Sequence, residues 1–159
     1  MLPETLQGCL SIDSWISFGE DGVVTVFSGK VEIGQRITTA LSKIVSSELE
    51  VDILRVAVTC ADTELTPDEG YTAASCSMEM SGSAIRYVAA AAKEKLLSMA
   101  AEKLSCDIQE LTISDGTISN HSGTSVVTYW DLLGDKGFES DVSDNIVETK
   151  AFIERDSSD

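Results

Sequence analysis

Basic residues are scarce in this 159-residue sequence: 11 lysines and arginines stand against 27 aspartates and glutamates, a formal net charge of −16. A surface that negative repels phosphodiester backbones and anionic lipid headgroups, so neither nucleic acid nor membrane is an expected partner. Long apolar runs are missing too; none approaches the roughly 18 residues needed to cross a bilayer. The opening Met1-Leu2-Pro3-Glu4 has neither the basic start nor the apolar stretch of a secretory signal, and a cytoplasmic location is expected. The four cysteines, Cys9, Cys60, Cys76 and Cys106, form no C-x-x-C pair. That excludes the common zinc, iron–sulfur and redox-dithiol patterns and predicts reduced thiols. Histidine occurs once, as His121 in the turn pattern Asn120-His121-Ser122-Gly123, which gives no basis for a metal centre or a Ser-His-Asp triad. Asp62, Glu64, Asp68 and Glu69 lack the spacing of a calcium loop and read as a solvated loop, so no metal ligands are expected.

What is present is the make-up of one folded domain. A 43% hydrophobic share is too high for a disordered chain, and the length suits a single core. Trp15-Ile16-Ser17-Phe18 and Val23-Val24-Thr25-Val26-Phe27-Ser28 flank an Asp21-Gly22 turn signal and predict an antiparallel hairpin. Ile37, Ala40, Leu41, Ile44, Val45 and Leu49 then fall on one helical face. Leu54, Val56, Val58 and Cys60 alternate with Arg55, Ala57 and Thr59, the pattern of a half-buried strand. A longer helix, capped by Ser81 or Ser83, presents Ile85, Val88, Ala89, Ala92, Leu96, Met99, Ala100 and Leu104. Leu111-Thr112-Ile113 and Thr117-Ile118-Ser119 flank Asp115-Gly116 as a second hairpin, which Val126-Val127 extends, and a short helical turn follows at Tyr129–Leu133. The expected fold is a two-layer α/β (α+β) domain of order β-β-α-β-α-β, a mixed sheet with two helices on one face. Residues 1–12 read as an N-terminal arm, 13–134 as the domain, and 135–159 as an acidic tail that is loosely ordered or docks elsewhere.

Two segments suit a ligand. Ile33-Gly34-Gln35 sits where a loop turns into a helix, whose unpaired N–H groups and dipole favour an anion; the same glycine also serves simple capping. Thr72-Ala73-Ala74-Ser75-Cys76-Ser77 offers small side chains and free hydroxyls, which suit close approach of a ligand or tight packing.

With their flanks, these segments resemble the large subunits of molybdenum hydroxylases, the xanthine dehydrogenase and aldehyde oxidase family, and within it the isoquinoline 1-oxidoreductase β-subunit type. The likeness runs from Val24 through Gly34-Gln35, Thr39-Ala40-Leu41 and Glu48-Leu49. It resumes at Ala61-Asp62-Thr63, Thr66-Pro67-Asp68-Glu69-Gly70, Thr72–Ser75 and Ser81-Gly82, and continues at 109–113 and Thr128-Tyr129-Trp130. The resemblance implies a domain lining part of the molybdopterin pocket of an oxidoreductase that hydroxylates aldehydes or N-heterocycles. It implies cofactor contacts at Gly34, Gln35, Ala74, Ser75 and Ser77 and no catalytic residue, because the family's catalytic glutamate belongs to another part of the large subunit. The implied partners are the rest of a large subunit and an iron–sulfur subunit. The chain alone is expected to be inactive and to hold no cofactor; the competing reading is an interaction domain that has lost cofactor binding. One departure stands out: the family reads Gly-Gln-Gly where this sequence has Gly34-Gln35-Arg36. A homodimer is also expected, through the alanine run Ala89–Ala92 and the apolar residues of 138–153.

Overall fold

A computed structural model describes residues 6, 9–29, 36–60, 81–134 and 136–142. The first hairpin pairs β1 (Ile16–Phe18) with β2 (Val24–Ser28) in antiparallel register, Ile16 opposite Val26. Asp21 Oδ1 accepts from the Val23 N–H, and Gly19 N–H donates to the Val23 carbonyl, which closes the turn. Alternation then sorts the second strand: Val24, Val26 and Ser28 are buried, while Thr25 and Phe27 are half-buried.

The chain crosses over through α1 (Ile37–Leu49) to β3 (Val56–Cys60), which lies parallel to β2 with Val24 opposite Val56. Parallel neighbours need such a crossover. The expected apolar face of α1 is the buried one, with Ile37, Leu41, Val45 and Leu49 fully inside. Leu54, expected in the strand, stands instead in a 3-10 turn at Ile53–Arg55 and is 89% exposed. Asp52 causes the difference, because its carboxylate accepts from the Leu54 N–H and holds a turn where alternation alone predicts extension.

The long helix α2 (Gly82–Leu104) packs on α1 and buries Ala84, Ile85, Val88, Ala89, Ala92, Leu96 and Ala100. Ion pairs Arg86–Glu48 and Lys93–Glu50 join the two helices. The mixed sheet β1-β2-β3 and the two helices follow the sequence pattern. The second hairpin, β4 (Leu111–Ser114) and β5 (Thr117–Asn120), is joined by β6 (Val126–Thr128) into an antiparallel sheet of its own. The short helix α3 (Tyr129–Leu133) follows directly, started by a capping box between Thr128 and Asp131. Those two hydrogen bonds hold the Asp131 carboxyl below its usual range.

The two sheets are tied at the turns. Gly116 N–H donates to the Glu50 carbonyl, Tyr129 N–H to the Gly116 carbonyl, and Arg55 bridges Asp115 at 3.0 Å while stacking over Trp130. Tyr129 is fully buried and donates its hydroxyl to the Leu49 carbonyl at 2.7 Å. Burial, with Glu50 nearby, pushes its phenol far above the ordinary value.

Residues 136–142 lie against the chain's beginning. The Asp13 carboxylate accepts from the N–H groups of Phe138 and Glu139, each at 2.8 Å. Ile12 N–H donates to the Ser140 carbonyl, Val142 N–H to the Leu10 carbonyl, and Ser11 bridges Asp141. Phe138 is buried with its ring edge-on to Phe18, 5.7 Å between centroids. Gly137 sits so close to Asp13 that a Cβ there would stand 2.6 Å from the carboxylate. Leu6, Ile12 and Trp15 belong to the same core, and the Trp15 indole donates to the Cys9 carbonyl.

Candidate functional site

The parallel strands bring their carboxyl ends together, with Ser28 opposite Cys60 in the ladder. Residues 30–35 leave β2 there and lead to α1; residues 61–80 leave β3 and lead to α2. In open α/β sheets the crevice outside the carboxyl ends of parallel strands is where ligands bind. The two segments that the sequence singles out therefore belong to the connections that begin at this edge of the sheet. Gly34, Gln35, Ala74, Ser75 and Ser77 themselves lie outside the described residues, as do Cys76 and the acidic loop from Asp62 to Glu69. What is positioned is their anchors.

Arg36 is the first of these. It stands at the N-cap of α1 with φ 57° and ψ 35°, in the left-handed region, and makes no side-chain cap. N-cap residues usually take extended backbone and lend an oxygen to the first turn. Arginine does neither, whereas glycine adopts this conformation without cost. The backbone thus follows the path a glycine would take, and the arginine side chain is exposed.

Ser81 is the second anchor. It is fully buried at the start of α2, its backbone is already helical (φ −74°, ψ −39°), and it makes no cap hydrogen bond. Its hydroxyl has no hydrogen-bond partner. The sequence pattern predicts a cap at this serine; a serine before a helix carries no mark that separates a cap from an unpaired hydroxyl. A buried hydroxyl without a partner is the kind of donor that an anionic cofactor takes, so this group fits molybdopterin.

Elsewhere the described surface is bland. A cleft at the end of α2 is lined by Glu102, Ser105, Cys106, Asp107 and Glu110, yet no cluster of three or more histidine, cysteine or acidic side chains among the described residues could hold a metal ion. His121 sits in the expected turn, its Nδ1 3.0 Å from the Glu110 carbonyl oxygen. No helix among the described residues is long and apolar enough to cross a membrane.

The wider likeness agrees with this geometry. The sequence matches the model of the molybdopterin cofactor-binding domain over residues 5–157. The chain belongs to that family. It is 34% identical over 131 residues to a nicotinate dehydrogenase subunit of Pseudomonas putida, covering 82% of this chain and 11% of that one. It is 28% identical over 131 residues to the beta subunit of isoquinoline 1-oxidoreductase of Brevundimonas diminuta, covering 78% of this chain and 17% of that one. The fold matches reconstituted CO dehydrogenase from Oligotropha carboxidovorans with a TM-score of 0.65 at 20% identity, over 80% of this chain and 16% of that one. The chain thus spans less than a fifth of the length of each of these relatives.

Proposed function

We propose that this chain forms one wall of the molybdopterin pocket in a molybdenum hydroxylase and contributes cofactor contacts, not catalysis of its own. Gly34 gives close backbone approach, Gln35 offers a primary amide to the cofactor and its metal, and Ala74, Ser75 and Ser77 bring small side chains and hydroxyls to the pterin and its dithiolene or phosphate. The observation that carries this reading is that the connections containing both segments begin at the paired carboxyl ends of β2 and β3. Molybdopterin, when bound, supplies the redox centre at which an aldehyde or N-heterocycle is hydroxylated. One wall cannot enclose it or supply the base, so turnover needs the rest of a large subunit and an iron–sulfur partner. An intracellular enzyme with reduced thiols suits this assembly.

The test is a titration of the purified chain with molybdopterin, alone and mixed with polypeptides carrying the rest of a large subunit. Retention of cofactor by the mixture and not by the single chain is expected, as is its loss in Gln35→Ala. Oxidation of an aldehyde by the isolated chain would overturn the reading.

Arg36 motivates a second reading, an interaction domain without cofactor. A neighbouring open reading frame encoding the remainder of a large subunit favours the split enzyme, and its absence favours the interaction domain. Self-association of the chain belongs to either reading. Of the surfaces expected to drive it, Ala89, Ala92 and Phe138 are buried within the chain, while Ile146, Val147, Phe152 and Ile153 lie outside the described residues. The apolar surface left to a homodimer among the described residues is Leu10, Ile53, Leu54, Ile108 and Val126.

A further inference from the structure

We infer that residues 136–142 form a strap that two copies of this chain exchange, each strap filling the slot of the other copy. The slot is shaped for that segment. Asp13 lends both carboxylate oxygens to the Phe138 and Glu139 N–H groups at 2.8 Å, and Lys95 on α2 donates to the Ser140 hydroxyl. The Phe138 ring is buried beside Phe18, which also meets Tyr129 and Trp130 edge-on. None of these contacts depends on which copy supplies the strap. A second copy brings the same donors and the same ring, so it is an occupant whose fit the structure already displays.

The connection from α3 decides between the two arrangements. Gly134 N–H donates to the Trp130 carbonyl and Lys136 N–H to the Leu133 carbonyl, so the chain turns back directly after the helix. Gly134 takes φ 54° and ψ −139°, the mirror image of extended backbone, which glycine alone adopts readily. Nothing stands within 4 Å of where a Cβ would be, so the glycine serves the backbone and not the packing. Opened to ordinary extended backbone, this hinge sends the strap away from its own slot. Short connections under conformational constraint favour exchange. Every slot stays filled in the exchanged pair, and no exposed apolar residue is needed, Leu54 included. What opposes exchange is the strap's effective concentration at its own slot, on the order of 1 mM for a short connection. Exchange at about 100 μM protein therefore reaches roughly a tenth of the chains.

A disulfide tells the two arrangements apart. Ser11 and Asp141 face each other in the antiparallel bridge, and the flanking bonds made by Ile12 and Val142 leave them as the non-hydrogen-bonded pair. Such a pair has its Cα atoms about 4.5 Å apart, a spacing that suits a disulfide. The full chain carries Ser11→Cys and Asp141→Cys, with Cys9, Cys60, Cys76 and Cys106 changed to serine and Leu54→Asp added to suppress surface association. It is refolded from urea at about 1 μM and at about 100 μM, then oxidised. A closed monomer locks onto itself and runs as one chain on a non-reducing gel. An exchanged pair runs as two chains that reductant separates.

The two-chain share is expected near a tenth at the higher concentration and to fall about a hundredfold on dilution. Gly134→Ala should raise it roughly tenfold at the lower concentration, because alanine resists the closed hinge. One-chain product alone at both concentrations overturns the inference, as does a two-chain share indifferent to dilution. An equal share with Asp141→Cys as the sole cysteine overturns it too, since that is contact between closed copies. A folded Gly134→Ala without the rise removes the hinge and the inference with it. The dilution series keeps the natural glycine, so it decides even where Gly134→Ala fails to fold.

Discussion

At the residue scale, Arg36 carries a cost that glycine would not. A left-handed non-glycine residue loses roughly 1–2 kcal/mol, and glycine's extra freedom in the unfolded chain returns about 0.5–1 kcal/mol of that. Arg36→Gly is therefore expected to stabilise the chain by about 0.5–1 kcal/mol in denaturant unfolding. It should also preserve or improve molybdenum content per assembled complex. A severe loss of molybdenum would show that the guanidinium itself pairs with the ligand. Tyr129 sets a different limit, on the alkaline side. Its phenol keeps its proton in the fold far above the ordinary value near 10, so the unfolded chain alone ionises as pH rises through that value. The stabilisation is complete below about pH 10 and is lost above it. Tyr129→Phe should cost about 1 kcal/mol at neutral pH through the lost bond to Leu49, and should flatten the fall in stability above pH 10. Equal alkaline slopes for both proteins would count against this origin.

Elements were legible where one local pattern decides the outcome. The hairpin turn at Asp21-Gly22, the buried stripe of α1 and the Asp115-Gly116 turn all appear where the sequence puts them, because period and turn chemistry act over a few residues. Leu54 shows the limit: alternation fits it, but the Asp52 side chain competes for its N–H and prevails. The placement of the second sheet has no local signal, since it depends on Gly116 reaching Glu50 and Tyr129 reaching Leu49. A Cβ at Gly116 would stand 2.8 Å from the Trp130 ring, which is why that approach needs glycine. The candidate site was legible as segments, through resemblance, whereas the unpaired Ser81 hydroxyl depends on a backbone angle that no residue type reveals. The contact between residues 136–142 and the arm rests on Asp13. Asp13→Ala removes both short bonds to Phe138 and Glu139 and should cost about 2 kcal/mol. Hydrogen exchange should quicken at Phe138, Glu139 and Val142 while α2 stays protected. Unchanged protection at those three amides would assign the contact to Phe138 burial instead.

For the whole molecule, charge and apolar surface pull in opposite directions. A net charge of −16 keeps copies apart at low salt, and screening shortens that repulsion to about 8 Å at physiological ionic strength. Leu54, at 89% exposure, and Val126 then become available for contact. Sedimentation equilibrium across a salt series is expected to show a monomer at low salt and a homodimer at moderate salt, with Leu54→Asp returning it to monomer. A monomer at every concentration and salt level would refute the association.

The ladder between Leu10–Ile12 and Ser140–Val142 also bears on the order in which contacts form. The two stretches run side by side in opposite directions, with 2.7 Å between the Val142 nitrogen and the Leu10 oxygen. Pairing of stretches so far apart in sequence closes a long loop, whose entropy is lost before the contacts return it. The clasp is therefore a late event, formed on a body whose helices and hairpins already stand.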